Sequence, residues 1–381
     1  MLENTYHFYH TLDDRTALNT LSGVKYFVTA KENGHENYVP YGYSEITIKD
    51  EETALKYRLY ENDYALPLGY VYKEYISSDT FAEFTPLERQ EAMMQGIVLE
   101  EGTDICGQAK PEVTSRKLDY VMEYNDGEVE LRDSAFVIKK ENSAVTLLFD
   151  GMEKAETYLY MDGLYYQKED LSIYDLLYQT EPDTLEIVFQ SDHANGTTIQ
   201  KVLTYRTDKE IYTTGRHDFL AHMGYDDAKK KTITIIFPET GIYEFDSLDV
   251  LGQPMESYAG QSEALRENVL ENPNMHYLPV NDAPSVTDTV TGNITMDSAG
   301  VLCVTIPYSR GWNAYVDGKK QDLLKANIMF MGLELETGEH EIRLVYETPG
   351  LRLGMIISFA SLSGLIIFMA MQKRRNRGNM K

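Results

Sequence analysis

The stretch from Leu353 to Met371 (LGMIISFASLSGLIIFMAM) runs nineteen residues without one charged side chain. At ~1.5 Å of rise per residue, a helix of that length covers close to the ~30 Å hydrocarbon core of a bilayer. Gly, Ser and Ala are scattered among Leu, Ile, Phe and Met, which suits a membrane helix packed against neighbours. Lys373, Arg374, Arg375, Arg377 and Lys381 follow it with no acid among them, and Pro349, Gly350 and Arg352 stand before it. The positive-inside rule then places the C-terminus in the cytoplasm and the preceding 350 residues outside. The competing reading is a buried core helix with a basic tail, but such a helix is normally shorter and carries a polar stripe.

The rest of the chain is acidic, with a net charge of -26 over 381 residues. No basic stripe exists outside the tail, so nucleic acid is excluded as a partner. Two cysteines, Cys106 and Cys303, do not make a disulfide scaffold. They are expected to be two buried thiols, with a single disulfide outside the cell as the alternative. The N-terminus, MLENTYHFYHTLDD, has neither a basic nor an apolar signal-peptide region. An external ectodomain without a leader is reconciled if the chain is the C-terminal part of a larger polytopic protein. A tail-anchored cytosolic protein is the rival.

Residues 11 to 23 read as a short helix with Thr11 as N-cap, Asp13 and Asp14 in the first turn and Gly23 after the end. Val24 to Val28 is a strand, and Asn33-Gly34 and Pro40 break the loop that follows. Short strands are expected near Lys56 to Tyr60 and Gly69 to Tyr75. Thr85-Pro86-Leu87-Glu88 is a capping box with proline at the first helical position, opening a helix expected to reach about Glu100. Beyond Thr114 the apolar period becomes two, as in Leu185, Ile187 and Phe189 or Ile342, Leu344 and Tyr346. Asp162-Gly163 and Asp317-Gly318 predict tight hairpins, and one helix is expected around Glu256 to Leu270. The fold class is therefore mainly β with a mixed α/β N-terminal part: an antiparallel, jelly-roll-like β-sandwich ectodomain followed by one transmembrane helix. The division is 1–113 mixed α/β, 114–280 a sandwich with one interrupting helix, 281–350 a β-rich membrane-proximal segment, 351–372 the membrane helix and 373–381 the basic tail.

No catalytic constellation stands out. His193, His217, His222 and His340 occur singly, without metal-ligand spacing, and read as structural histidines. No nucleophile-elbow, phosphate-loop or dinucleotide fingerprint is present. No cofactor, metal or catalytic residue is assigned. Of the 29 tyrosines, Tyr158, Tyr160, Tyr165 and Tyr166 gather around one expected hairpin, while Tyr308 and the single tryptophan, Trp312, flank Ser309-Arg310-Gly311. Exposed aromatic rings stack on sugar faces, so these six are candidate glycan contacts; as core residues they would instead fill the sandwich.

Ile306 to Lys320 (IPYSRGWNAYVDGKK), the Gly338-Glu339-His340 turn and Thr348-Pro349-Gly350-Leu351 entering a membrane helix together resemble the YfhO family of bacterial membrane proteins. Gly23 to Tyr26, Ala65 to Gly69, the Leu87 to Met93 helix, His217 to Leu220 with Gly224-Tyr225, and Pro238 to Phe245 fit the same family. The resemblance implies a multi-spanning protein of the glycosyltransferase C type. Such proteins move sugar from an undecaprenyl-phosphate carrier to cell-envelope polymers such as teichoic acid. Its catalytic acid would lie among earlier membrane helices, so no role is carried over to any residue of this chain. The implied partners are the lipid bilayer through 351–372, N-terminal membrane helices of the same or a split protein, and a glycan or teichoic acid polymer. The expectation is a non-catalytic extracytoplasmic part of such a protein. Its alternatives are a membrane-anchored carbohydrate-binding module and a tail-anchored interaction protein.

Overall fold

A computed structural model describes residues 12–31, 38–168, 184–207, 213–273 and 288–378. The Asn33-Gly34 turn, Thr11 and the 280/281 boundary lie outside the described residues. The chain is mostly β, built from several largely antiparallel sheets, and closes with one apolar helix.

The sheets stack in two places. In the first, a five-stranded sheet (120–124, 143–149, 184–192, 198–206, 232–237) shares a core with two four-stranded sheets. Alternation produces this layering directly: in Ser143–Phe149 every second side chain is buried, and Val145 and Leu147 are fully enclosed. Phe136, Phe237 and Tyr243 form the aromatic centre, with ring centroids 5.6 and 4.7 Å apart.

The second stack is assembled from both ends of the chain. A seven-stranded sheet runs in the order 69–72, 300–307, 330–335, 324–326, 97–99, 74–77, 107–108. Gly300–Pro307 is buried on both faces. Val301 and Cys303 meet the helices Thr16–Leu21, Ser78–Glu83 and Pro86–Met93, while Leu302 and Val304 meet a four-stranded sheet carrying Ile294, Ala314, Ile342 and Leu344. The segments read separately as 1–113 and 281–350 therefore share one sheet. Two of its pairings, 74–77 with 97–99 and with 107–108, are parallel.

Several local expectations hold. Thr85 and Glu88 form the reciprocal capping box with Pro86 at the helix start. The later helix is Tyr258–Leu265. Trp312–Val316 and Lys319–Gln321 pair across Asp317-Gly318, whose φ values of +52° and +74° are those of a two-residue hairpin turn.

Others need correction. The helix expected to reach Glu100 ends at Met93, because Ile97-Val98-Leu99 leaves as a fully buried strand beside Tyr75 to Ser77. The first helix is Thr16–Leu21; Asp13 and Asp14 precede it in the left-handed region (φ +57° each), which short polar side chains tolerate. Asp162-Gly163 is not a hairpin. Ala155–Asp162 pairs with Phe219–Asp226 and Ser247–Pro254, whereas Tyr165–Gln167 joins Gly241–Glu244 in a different sheet. Gly163 (φ +66°) turns the chain between layers, and a Cβ there would lie 2.3 Å from an Asp246 carboxylate oxygen. Both cysteines are free, Cys303 buried and Cys106 only half-buried.

Leu351–Gly378 is one continuous helix, and its Leu351–Lys373 segment is long and apolar enough to cross a membrane, with none of it buried against the rest of the chain. Gly318→Val isolates the hairpin strain, since a Cβ at Gly318 would meet nothing within 4 Å. With contacts excluded, a β-branched residue in the left-handed region is expected to cost about 1–2 kcal/mol. Thermal unfolding of the detergent-solubilised chain should show the loss, and Gly318→Asn should show much less.

Candidate functional site

The most heavily built polar region joins the first helix to the first sandwich. Glu156 and His222, on neighbouring strands, are almost wholly enclosed, with the His222 Nε2 3.3 Å from a Glu156 oxygen. Glu156 also accepts from the Thr16 and Tyr158 hydroxyls, the latter at 2.6 Å. Gln90 extends the chain by donating to Tyr158 and to Gln253 at 2.8 and 2.9 Å. Burial works against charge on Glu156. The His222 ring and the two hydroxyls outweigh it and hold the carboxyl below its ordinary value.

Just before the helix, Asp13 accepts the His222 backbone N–H at 2.9 Å, and Lys201 reaches Asp13 and Asp14 at 3.1 and 2.7 Å. Arg15 donates to the Leu220 carbonyl at 2.7 Å. A bulge shapes this surface. The register jumps from Glu156↔Tyr225 to Tyr158↔His222, leaving Met223 and Gly224 opposite Thr157 alone. Gly224 (φ +91°) is required there, since a Cβ would come within 2.5 Å of the His193 ring and 2.9 Å of the Tyr38 ring.

Beyond Tyr38 a cleft of about 510 Å³ opens, lined by Tyr38, Arg58, Tyr60, His193, Asn195, Thr197 and Tyr225 to Ala228. Tyr38 stacks on His193 (5.3 Å between centroids) and meets His222 edge-on at 5.7 Å. Its hydroxyl accepts the Tyr225 N–H at 3.0 Å. His193 Nδ1 faces both the Lys230 ammonium at 3.3 Å and an Asp226 carboxylate oxygen at 3.5 Å. Burial first and the Lys230 cation second push His193 down to about 4. Burial likewise lowers Lys230 to about 8. The carboxylates are committed: Asp226 accepts the N–H groups of Ala194 and Ala228, and Asp227 accepts the Tyr225 hydroxyl. The cleft is thus an aromatic and amide surface with its acids held in structural bonds. Among the described residues no group of three or more His, Cys, Asp or Glu could hold a metal ion.

Taking each histidine singly along the chain misses this pairing. His193 and His222 converge on one aromatic, Tyr38, and His222 meets Glu156, sixty-six positions away in the chain; no sequence spacing carries that signal. His217 and His340 are structural, holding the Leu164 carbonyl (2.9 Å) and the Asp317 carboxylate (2.8 Å).

The six aromatic candidates do not form one surface. Tyr158 is fully enclosed in the network just described, and Tyr166 is 7% exposed in the sandwich core, so neither can stack on a polymer. Tyr160 is half-buried beside Leu87 and Leu220. Tyr165, at 44%, is exposed on the other sheet. Tyr308 is exposed and Trp312 half-buried against Tyr346, both in the membrane-proximal stack.

A β-sandwich assembly that runs directly into a helix long and apolar enough to cross a membrane defines a membrane-associated β protein. The family model described as bacterial membrane protein YfhO matches residues 2–358, and the chain belongs to that family. A Bacillus subtilis (strain 168) relative, described as uncharacterized protein YfhO, is 24% identical over 366 residues. The match covers 96% of this chain but 37% of that relative, so the chain spans little more than a third of its length. Among solved structures, the apo CBM1 of BiXyn10A aligns over 36% of this chain and 95% of its own, at 7% identity and TM-score 0.23. The tandem CBM22-1-CBM22-2 of Paenibacillus barcinonensis Xyn10C aligns over 63% and 92%, at 9% identity and TM-score 0.22. Likenesses that slight carry no argument.

Two measurements check this geometry. His193 has a folded value near 4 against ~6.5 for an unfolded histidine, so its contribution is complete above about pH 6.5 and lost as pH falls toward 4. His193→Gln should flatten that limb of stability against pH while leaving the further loss at lower pH, where Glu156, held below its ordinary value, takes up its proton. Separately, Tyr166→Ala should cost about 3–5 kcal/mol as a lost core ring, and Tyr165→Ala under about 0.5 kcal/mol. Denaturant unfolding of both variants decides between core and surface.

Proposed function

We propose that the chain is the extracytoplasmic β part of a polytopic envelope glycosyltransferase. In this reading the whole protein moves sugar from an undecaprenyl-phosphate carrier to a teichoic acid-type polymer. The chain itself is non-catalytic; it flanks the acceptor and holds polymer weakly, with Kd in roughly the millimolar range. The observation that carries the reading is the family match over nearly the whole chain, joined to a span that leaves the last strand through only four residues, 347–350. The cleft beside Tyr38 supports it: the half-buried Tyr38 and Tyr225 rings, Arg58 and Asn195 can meet sugar faces and hydroxyls, while Asp226 and Asp227 are engaged internally. The basic run after the span supports a cytoplasmic C-terminus.

Two experiments test it. In intact cells, with Cys106 replaced by Ser, a membrane-impermeant thiol reagent should label a cysteine at Asn195 and not one at Gly378; the reverse pattern overturns the orientation. Cells lacking the gene should lose sugar from an envelope polymer, and the detergent-solubilised chain alone should not transfer sugar from an undecaprenyl-phosphate donor. Unchanged polymer composition, or turnover by the chain alone, overturns the assignment.

A further inference from the structure

The end of the second stack from which the membrane helix departs carries a turn that the fold itself does not need. Ala326 and Phe330 close the pairing of strands 324–326 and 330–335, and Asn327-Ile328-Met329 links them. Asn327 is buried and clamped: its side-chain oxygen accepts the Val98 N–H at 2.9 Å, its nitrogen donates to the Tyr72 hydroxyl at 3.1 Å, and its backbone N–H reaches the Val98 carbonyl at 2.9 Å. The Met329 N–H then returns to the Asn327 carbonyl at 2.8 Å, closing a three-residue turn with Ile328 at its centre. Ile328 has φ +71°. That is the rare, strained form of the γ-turn, and a β-branched residue is the worst suited to it.

No packing offsets this strain. Ile328 is 60% exposed and Met329 54% exposed, so the core holds Asn327 down and thrusts two large apolar side chains outward. Tyr308, 38% exposed, is fastened to them through its N–H and the Met329 carbonyl at 2.7 Å, and Arg310 in the same loop is exposed. A strained residue kept where it packs on nothing points to a contact outside the domain.

The position of the turn says which contact. Gly311, three residues beyond Tyr308, accepts the Glu347 N–H at 2.8 Å, and Trp312 pairs with Tyr346. The membrane-spanning helix begins at Leu351. Leu351 is four positions beyond Glu347, a reach that even fully extended is at most roughly 14 Å. The apolar turn, the tyrosine loop and the helix entrance are therefore at one end of the molecule. Tyrosine with a neighbouring basic residue is the composition of a membrane–water interface, and apolar tips of this size suit shallow insertion.

We propose that Ile328 and Met329, flanked by Tyr308 and Arg310, form a second membrane contact seated in the lipid headgroup layer beside the Leu351 helix. The contact gives the β domain a fixed tilt on the bilayer instead of leaving it to turn on a four-residue connector. It depends on the span alone and holds whichever side of the membrane the domain occupies.

The full chain, with Cys106 replaced by Ser, is reconstituted into phosphatidylcholine–phosphatidylglycerol vesicles with a polarity-sensitive fluorophore on a cysteine at Ile328, or at Asn195 as control. Emission at 328 should be blue-shifted and quenched more strongly by lipids doxyl-labelled near the headgroup than by lipids labelled deep in the chain. The probe at 195 should be unaffected. A probe at 328 that stays as polar and unquenched as the one at 195 overturns the proposal. So does a blue-shifted probe that no lipid quencher reaches, which would mean that protein covers the turn. Ile328→Gly provides an unlabelled check: it should keep or raise the melting temperature in detergent, since it relieves strain and removes no internal packing. A fall of several degrees would make Ile328 a structural residue and overturn the inference.

Discussion

One strand buried on both faces governs how this chain can close. Gly300–Pro307 presents Val301 and Cys303 to a layer of helices and Leu302 and Val304 to a second sheet, so it satisfies two cores at once. It cannot do so with local sequence alone. One edge is taken by Gly69–Tyr72, more than two hundred residues earlier, and the other by Phe330–Leu335. The first sandwich is thereby inserted, in sequence, between the two halves of the second stack. This makes the stack dependent on both halves being present, and the connection costs little more in entropy than a shorter one, since loop closure grows only slowly with length.

The polar network at Glu156 makes the two stacks one body. The helix Thr16–Leu21 belongs to the core of the second stack through Ala17 and Leu21, yet Thr16, Arg15 and Asp13 bond to strands of the first. A charged carboxylate that is almost fully enclosed is tolerable only because several donors converge on it. Removing one partner would leave an uncompensated charge, with a cost of about 3–5 kcal/mol in comparable buried pairs. Such a network contributes less to net stability than to uniqueness: an apolar contact would let the helix slide, whereas Glu156 is met only when Thr16, Tyr158 and His222 are all in place.

What was legible in the sequence was what local chemistry determines. Thr85 and Glu88 cap a helix through contacts three residues apart, Asp317-Gly318 makes its turn from its own φ preferences, and Leu353 to Met371 needs only length and composition. The mainly β character was legible for the same reason, because alternation is a property of each strand. Partition among sheets was not. Asp162-Gly163 has the residues of a hairpin, but Leu164 is drawn into the first core and Tyr165–Gln167 pairs with Gly241–Glu244 instead of folding back. Ile97 to Leu99 continues an apolar run that begins in a helix, and only a buried slot beside Tyr75 to Ser77 turns it into a strand. Tyr165 and Tyr166 are separated in the same way, since successive side chains on a strand face opposite sides.

The membrane helix shows where local and global constraints meet. Nothing among the described residues of the β domain covers it, so its apolar surface must be met by lipid or by other helices. The last strand, Gly338–Tyr346, is held on both sides, by Thr289–Met296 and by Trp312–Val316, and is therefore rigid up to Tyr346. Glu347 is fixed as well, through its N–H to Gly311 and its carboxylate to Arg352 in the first helical turn, at 2.8 Å each. Freedom is left only around Pro349 and Gly350, and proline restricts both itself and the residue before it. Gly350, at φ +78°, takes the left-handed conformation that turns the chain into the helix. A hinge this short transmits the bilayer's plane to the sandwich, so the side chains nearest the hinge are the ones whose surroundings the membrane decides.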